Sequence, residues 1–193
     1  MGNREDLLAG ALECLKTKGW TRTTVRDIAA AAGVNHAAIG YHFGSREALL
    51  IEAFTQAMEE WGEQSATAMA AVPADAGPHE RYEAFWRAVI GSYDEHRWLW
   101  LATVEAAIQA EHSPPLRELV AGAMQEGRTG LAAGLLGVPE DSLDARQRAV
   151  GSVQLALMSG VLVQRLIDPD RAPRAEDIVT GIAGLAGLSG LSG

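Results

Sequence analysis

Cysteine is nearly missing from this chain: Cys14 is the single one among 193 residues. No disulfide can close within the chain and no multi-thiolate metal site can form, so Cys14 is expected to fill core volume. There is no H-E-x-x-H stretch, and His36 and His42 stand six apart, off a common helical face, which argues against a bound metal. Ser92 in "IGSYD" and Ser159 in "LMSGV" do not match G-x-S-x-G, and the strands that such a hydrolase needs are not legible. The expectation is a protein that is not an enzyme and uses no cofactor. Apolar residues are nowhere sustained over the roughly 18 positions of a membrane span. The start, "MGNREDLLAG", has neither the cationic nor the apolar region of a signal peptide, and Asp6 stands where a myristoylation signal carries Ser or Thr. A cytoplasmic location is therefore expected.

What the chain does have is apolar content and an uneven charge. Hydrophobic residues make up 48% of it, ample for a packed core. A formal net charge of -9 speaks against a polyanionic partner, but its distribution matters more than the total. Residues 1–46 hold six basic side chains against four acidic ones, whereas the remaining 147 hold 10 against 21. A mildly positive head is joined to an acidic body.

Apolar residues recur at i, i+3, i+4 and i+7 almost everywhere and period-2 alternation is never sustained, so the chain reads as all-α. Leu7, Leu8, Ala11, Leu12 and Leu15 form a first stripe, stopped by Gly19. A second helix begins after Thr24, with Asp27 placed to complete its cap, and ends at Gly33. A very short third helix lies in "VNHAAIGYHF", and Ser45 caps a fourth that runs to about residue 71. After the Pro- and Gly-rich stretch 73–78, helices are expected at about 79–95, 97–111, 116–136, 143–167 and 175–188, followed by a flexible Gly-rich tail.

Helix, Gly turn and short helix in succession have the shape of a helix-turn-helix, a shape that an ordinary helical hairpin inside a bundle shares. Ala29 and Ala32 allow a close crossing, Gly33 takes the left-handed turn conformation, and Val25, Ile28, Val34 and Ile39 fill the space between. A second helix laid in the major groove would present Asn35, His36, Ala37 and Ala38 to base edges, Asn suiting adenine and Ala methyls suiting thymine. Tyr41 and His42 are then placed for phosphates. Thr24 could join them through its hydroxyl and nearby N–H groups, with charge from Arg26, Arg46 and Arg22. No Lys or Arg lies between Gly33 and Ser45, so small neutral residues would read the groove while a thin arginine fringe holds the backbone. Such a fringe gives modest affinity per monomer and makes dimerisation important.

"GWTRTTVRDIAAAAGVNHAAIGYHFGSREALL" resembles the DNA-binding domain of the TetR family of bacterial transcriptional regulators, through "TTVRDIA", the "AGV" turn, the "YHF" signature and the Ser-Arg-Glu start of the fourth helix. "LIDPDRAP" is similar to the loop before the last helix in many members. The resemblance implies a DNA-binding domain over residues 1–46 and a helical ligand-binding and dimerisation domain over 47–193. It also implies a homodimer on a palindromic operator, usually a repressor, released when a small molecule enters the C-terminal domain. Thr24, Asn35, His36, Ala37, Tyr41, His42 and Arg46 take the DNA-contact role by matching positions. Gly40 departs from the family pattern, where Tyr or Asn is usual, so a contact is lost and the short helix loosened.

In the body, Phe85, Trp86, Tyr93, Trp98 and Trp100 precede Glu105 and Gln109, a mixture suited to an apolar pocket with polar hooks, and Met124, Gln154 and Met158 are weaker candidates. The acidic body favours a cationic or neutral ligand. Ala149, Val153, Leu157 and Val161 make an apolar stripe on one late helix, and Ile178, Ile182 and Leu185 make one on the last; two copies would give a four-helix dimer interface. The rival readings are a helical adaptor that binds protein alone and a constitutive DNA-binding protein without ligand control.

Overall fold

The computed structural model describes residues 3–70 and 76–187, with the side chains of 65, 66 and 68–70 outside the described set. Part of the expected 73–78 linker, the last residue of the expected fourth helix and the tail from 188 lie outside the described residues. Among those described, no strand occurs and nine α-helices follow one another: α1 (Asn3–Lys18), α2 (Val25–Ala32), α3 (Ala37–Phe43), α4 (Arg46–Ala70), α5 (Pro78–Glu95), α6 (Arg97–Gln109), α7 (Pro114–Leu136), α8 (Ala145–Ile167) and α9 (Ala175–Ala186). The expected helices are present with shifts of one or two residues at most ends. "GVPEDS" adds a short 3-10 turn at Glu140–Ser142.

The chain gathers into two compact units, the first of residues 1–64 and 96–121, the second of 65–95 and 122–193. The expected division is at residue 46, whereas compactness groups α6, most of α4 and the beginning of α7 with the head. The core of unit 1 is built from Leu7, Ala11, Leu15, Trp20, Ile28, Ile39, Leu49, Leu50, Ala53 and Phe54, joined by Leu99, Ala102 and Ala106 from α6. Trp20 meets Phe54 edge-on at 5.8 Å, and Cys14 is buried as filler. Burial also pushes the Cys14 thiol above its ordinary value.

Two features of the head follow from glycine. Gly33 caps α2 at φ 67, ψ 25, and its N–H and that of Val34 satisfy the carbonyls of Ala29 and Ala30. Gly10 was not foreseen as a contact: a Cβ there would sit 2.9 Å from the backbone N of Ala32 and 3.0 Å from its Cβ, so α1 and α2 cross nearly backbone to backbone. In unit 2 the same device recurs at Gly151, whose Cβ would fall 1.9 Å from the Arg128 carbonyl oxygen of α7.

One expectation is corrected by α8. Among the described residues this helix is long and apolar enough, by length and composition alone, to cross a membrane. Its residues point two ways: Gln154, Met158, Val161 and Leu162 are buried, while Val150, Val153, Val163 and Ile167 are exposed in the single chain. Reading only for uninterrupted apolar runs missed it, because small and polar residues are interleaved.

Two glycine replacements should move stability in opposite directions. Gly10→Ala forces apart a backbone crossing and should cost about 1–3 kcal/mol. Gly40, in α3, has open space around a would-be Cβ. Gly40→Ala should therefore add about 0.5–1 kcal/mol by lowering the entropy of the unfolded chain. Urea unfolding midpoints of the two variants check both signs.

Candidate nucleic-acid interface

The recognition hairpin is held from behind by the six-residue turn between α1 and α2. The Glu105 carboxylate of α6 accepts the backbone N–H of Trp20 at 2.6 Å and of Thr21 at 3.2 Å. Thr23 is buried, its hydroxyl donating to the Gly19 carbonyl at 2.7 Å, and its own carbonyl accepts Arg46 Nη1 at 2.6 Å. Loop N–H groups that would otherwise be unpaired are satisfied by a charged acceptor, which makes these bonds stronger than neutral ones. Both charged residues are thus engaged inside the head: Glu105, expected as a ligand hook, accepts the turn, and Arg46, expected at a phosphate, gives its Nη1 to Thr23.

At the next step Thr24 caps α2. Its hydroxyl accepts the Asp27 N–H at 3.2 Å and donates to Asp27 Oδ2 at 2.7 Å, while Asp27 accepts the Thr24 N–H at 2.8 Å. The reciprocal cap read from the sequence is present, and it engages the hydroxyl proposed for phosphate. Lys18 closes a salt bridge on Asp27. Asn35 likewise works locally: its Oδ1 accepts the Ala37 N–H at 2.9 Å, which starts α3 and leaves the amide NH2 as the group free to point outward.

Beyond these anchors, one surface is open. His36, Ala37 and Gly40 are exposed, and Tyr41 is 86% exposed, its ring edge-on to His42 at 4.9 Å. Ile39, on the opposite side of α3, is buried, and Phe43 is half-buried beneath the Arg4 guanidinium at 5.1 Å. An aromatic hydroxyl this exposed has no packing role. Arg26 is exposed on α2 and makes no ion pair among the described residues. The expected DNA-contact residues therefore fall into two groups. His36, Ala37, Tyr41, His42 and Arg26 lie on or beside the open α2–α3 surface, whereas Thr24, Asn35 and Arg46 spend hydrogen bonds on building it.

The expected ligand residues are divided between the two units. Trp98, Trp100, Glu105 and Gln109 belong to unit 1, and Trp86, Tyr93, Met124 and Met158 to unit 2. Trp100 packs edge-on against Trp61 of α4 at 4.7 Å, and Met58 approaches Thr103, so α4 rests on α6 through these side chains. Trp98 lies under the Lys16 ammonium at 5.4 Å, beside a small cleft lined by Trp61, Glu60 and His96. Met124 is exposed; Trp86, Tyr93 and Met158 are buried. Of the residues expected at a dimer interface, Val153 and Leu185 are exposed and Leu157 and Ile182 half-exposed, but Val161 and Ile178 are buried in the single chain.

Comparison with known proteins settles the family. A model of the N-terminal region of bacterial regulatory proteins of the tetR family matches residues 7–53, and a model of the tetracyclin repressor-like C-terminal domain matches 77–185. The chain belongs to the TetR family of transcriptional regulators. It is 30% identical over 166 residues to the HTH-type transcriptional regulator BetI of Rhizobium meliloti (strain 1021), a match covering 84% of this chain and 77% of BetI. A crystal structure of the transcriptional regulator RHA1_ro04179 of Rhodococcus sp. Rha1 superposes with a TM-score of 0.66 at 22% identity, over 95% of this chain and 96% of that one. The multidrug binding protein EbrR complexed with proflavin does so with a TM-score of 0.69 at 23% identity, over 95% and 99%. At these identities the two structures speak for the TetR fold. The helix-turn-helix described above is this regulator's DNA-binding element.

The cap on α2 predicts the head's acid limit. The Lys18 ammonium, then the Thr24 hydroxyl and N–H, hold the Asp27 carboxyl well below its ordinary value of 3.8. A depressed native value contributes stability that is complete above the ordinary value and is lost as pH falls below it toward the native one. Thermal unfolding followed from pH 6 to pH 2 should show destabilisation beginning below about pH 4, with a shallower slope in Asp27→Asn.

Proposed function

We propose that the protein binds a two-fold symmetric operator as a homodimer, represses the adjacent gene and leaves the DNA when a small molecule occupies its C-terminal region. The observation that carries the DNA reading is the open α3 surface, with Tyr41 86% exposed on a helix whose other side is buried. Base choice is assigned to His36, Ala37 and the free amide NH2 of Asn35. Tyr41 and His42 hold phosphates, and Arg26 supplies the unpaired charge that Arg46, tied to Thr23, does not. A regulator of this kind works beside the chromosome, which supports a cytoplasmic location.

Homodimerisation is supported by the exposed side of α8. Val150, Val153, Val163 and Ile167 are all exposed, at spacings that keep them on one stripe with Gly160, and α9 adds Leu185, 57% exposed. A row of large apolar residues left open in a single chain is a surface for another chain, and an isologous contact joins each stripe to its copy. Two readers must enter successive major grooves about 34 Å apart, so a change in their separation ends binding. We assign the transmission of that change to α4, which starts directly after the Gly44 turn and continues as one helix to Ala70. EbrR, a structural relative, is a multidrug binding protein, which favours the effector-responsive reading over a constitutive one.

Selection of bound duplexes from genomic DNA, followed by titration, tests these assignments. Arg26→Ala should reduce the slope of log affinity against log salt by about one per operator half-site, while Tyr41→Ala should weaken all sequences. Arg46→Ala should lower unfolding stability as well as affinity. Val153→Arg should give monomers in sedimentation and lose operator affinity with the head still folded; a dimer unaffected by it would move the interface elsewhere.

A further inference from the structure

Unit 2 buries more hydrogen-bond donors than acceptors along the seam of α5 and α8. Tyr82 pairs with Gln154, Tyr93 with Met158 and Asp94 with Arg165, so the two helices run side by side in the same direction. The Tyr82 hydroxyl donates to Gln154 Oε1 at 2.6 Å, and the Tyr93 hydroxyl donates to the Met158 carbonyl at 2.9 Å. These bonds use acceptors. The donors beside them are left over: Gln154, only 3% exposed, has no partner for its Nε2, and Trp86, with 0% exposure, has none for its indole Nε1. At the far end of the seam Arg165 Nε is also buried and unpaired.

Tyr82 stands beside both leftover donors. Its hydroxyl holds Gln154, and Trp86 follows it one helical turn later on α5; burial raises the Tyr82 phenol above its ordinary value. The surrounding walls are aromatic and apolar: Phe85 lies parallel to Tyr82 at 6.2 Å and edge-on to Trp86 at 5.9 Å, with Val89 and Met158 buried along the same seam. A buried donor without an acceptor is costly, and two that flank one tyrosine among aromatic rings suit a ligand that brings an acceptor.

We propose that Trp86 and Gln154 form an effector site for a planar, largely apolar molecule that presents a carbonyl or carboxylate oxygen. The indole N–H and the amide NH2 donate to that oxygen, and the rings of Tyr82 and Phe85 face the planar part. An aliphatic or aromatic amine without an oxygen acceptor meets no complementary group there. This choice runs against the acidic charge of the body, which is a property of the surface rather than of the seam. The proposal rests on the effector reading above, which it narrows to a ligand class.

The test uses the full-length protein and a panel of planar aromatic carboxamides, carboxylates and the corresponding amines. Thermal stabilisation and release of a selected operator duplex are read in parallel. Carboxamides or carboxylates should stabilise the protein, amines should not, and Gln154→Leu and Trp86→Phe should each weaken acceptor compounds by tenfold or more. Amines that release operator while acceptor compounds do nothing would overturn the proposal and leave effector control standing. Acceptor binding that is indifferent to both substitutions would overturn it as well, as would the absence of any acceptor binding. Acceptor binding that depends on Gln154 but never alters operator affinity would support the site and refute effector control.

Discussion

Everything the head presents to DNA depends on how the turn at residues 19–24 is held. The turn carries α2 and therefore α3, and its backbone N–H groups at Trp20 and Thr21 end on one carboxylate from α6. Arg46, at the start of α4, fastens the other end at the Thr23 carbonyl. Two charge-assisted anchors on a segment this short leave α2 little angular freedom. The Gly10 crossing removes the rest by letting α1 approach α2 at backbone distance. A reader helix so fixed can afford neutral residues, because preorganisation lowers the ordering cost of binding.

The same arrangement gives α6 a part in the head. Trp100 and Thr103 meet Trp61 and Met58 of α4, and two residues after Thr103, Glu105 grips the turn. A displacement of α6 would thus reach α2 by two routes, through α4 and directly. In energetic terms the direct route is the stiffer, since a carboxylate shared by two backbone N–H groups tolerates less sliding than an aromatic contact.

Much of this was legible in the sequence. Periodicity located the helices, and Thr24 with Asp27, Ser45, Gly19 and Gly33 marked their ends, because caps and left-handed turns are decided locally. What could not be read was where charged side chains end up. Glu105 looks like a ligand hook because it follows a run of aromatics, and its true partners are main-chain groups about 85 residues away that no residue type advertises. Arg46 follows the same logic. Gly10 did leave a signal, a glycine within an otherwise helix-favouring run, at a place where only a close neighbour explains it. On α8 the stripe of Ala149, Val153 and Leu157 lies on the open side, but with apolar residues all round the helix the pattern could not tell Val161, which is buried, from Val163, which is exposed.

The most direct measurement is amide hydrogen exchange on the intact protein and on Glu105→Ala, a residue outside the DNA-facing surface. If the turn governs the reader, exchange should accelerate at Trp20 and Thr21 and throughout α2 and α3, while α8 and α9 keep their protection. Unchanged protection of α2 and α3 in the variant would contradict the account, since the recognition hairpin would then hold its place without the carboxylate that anchors its turn.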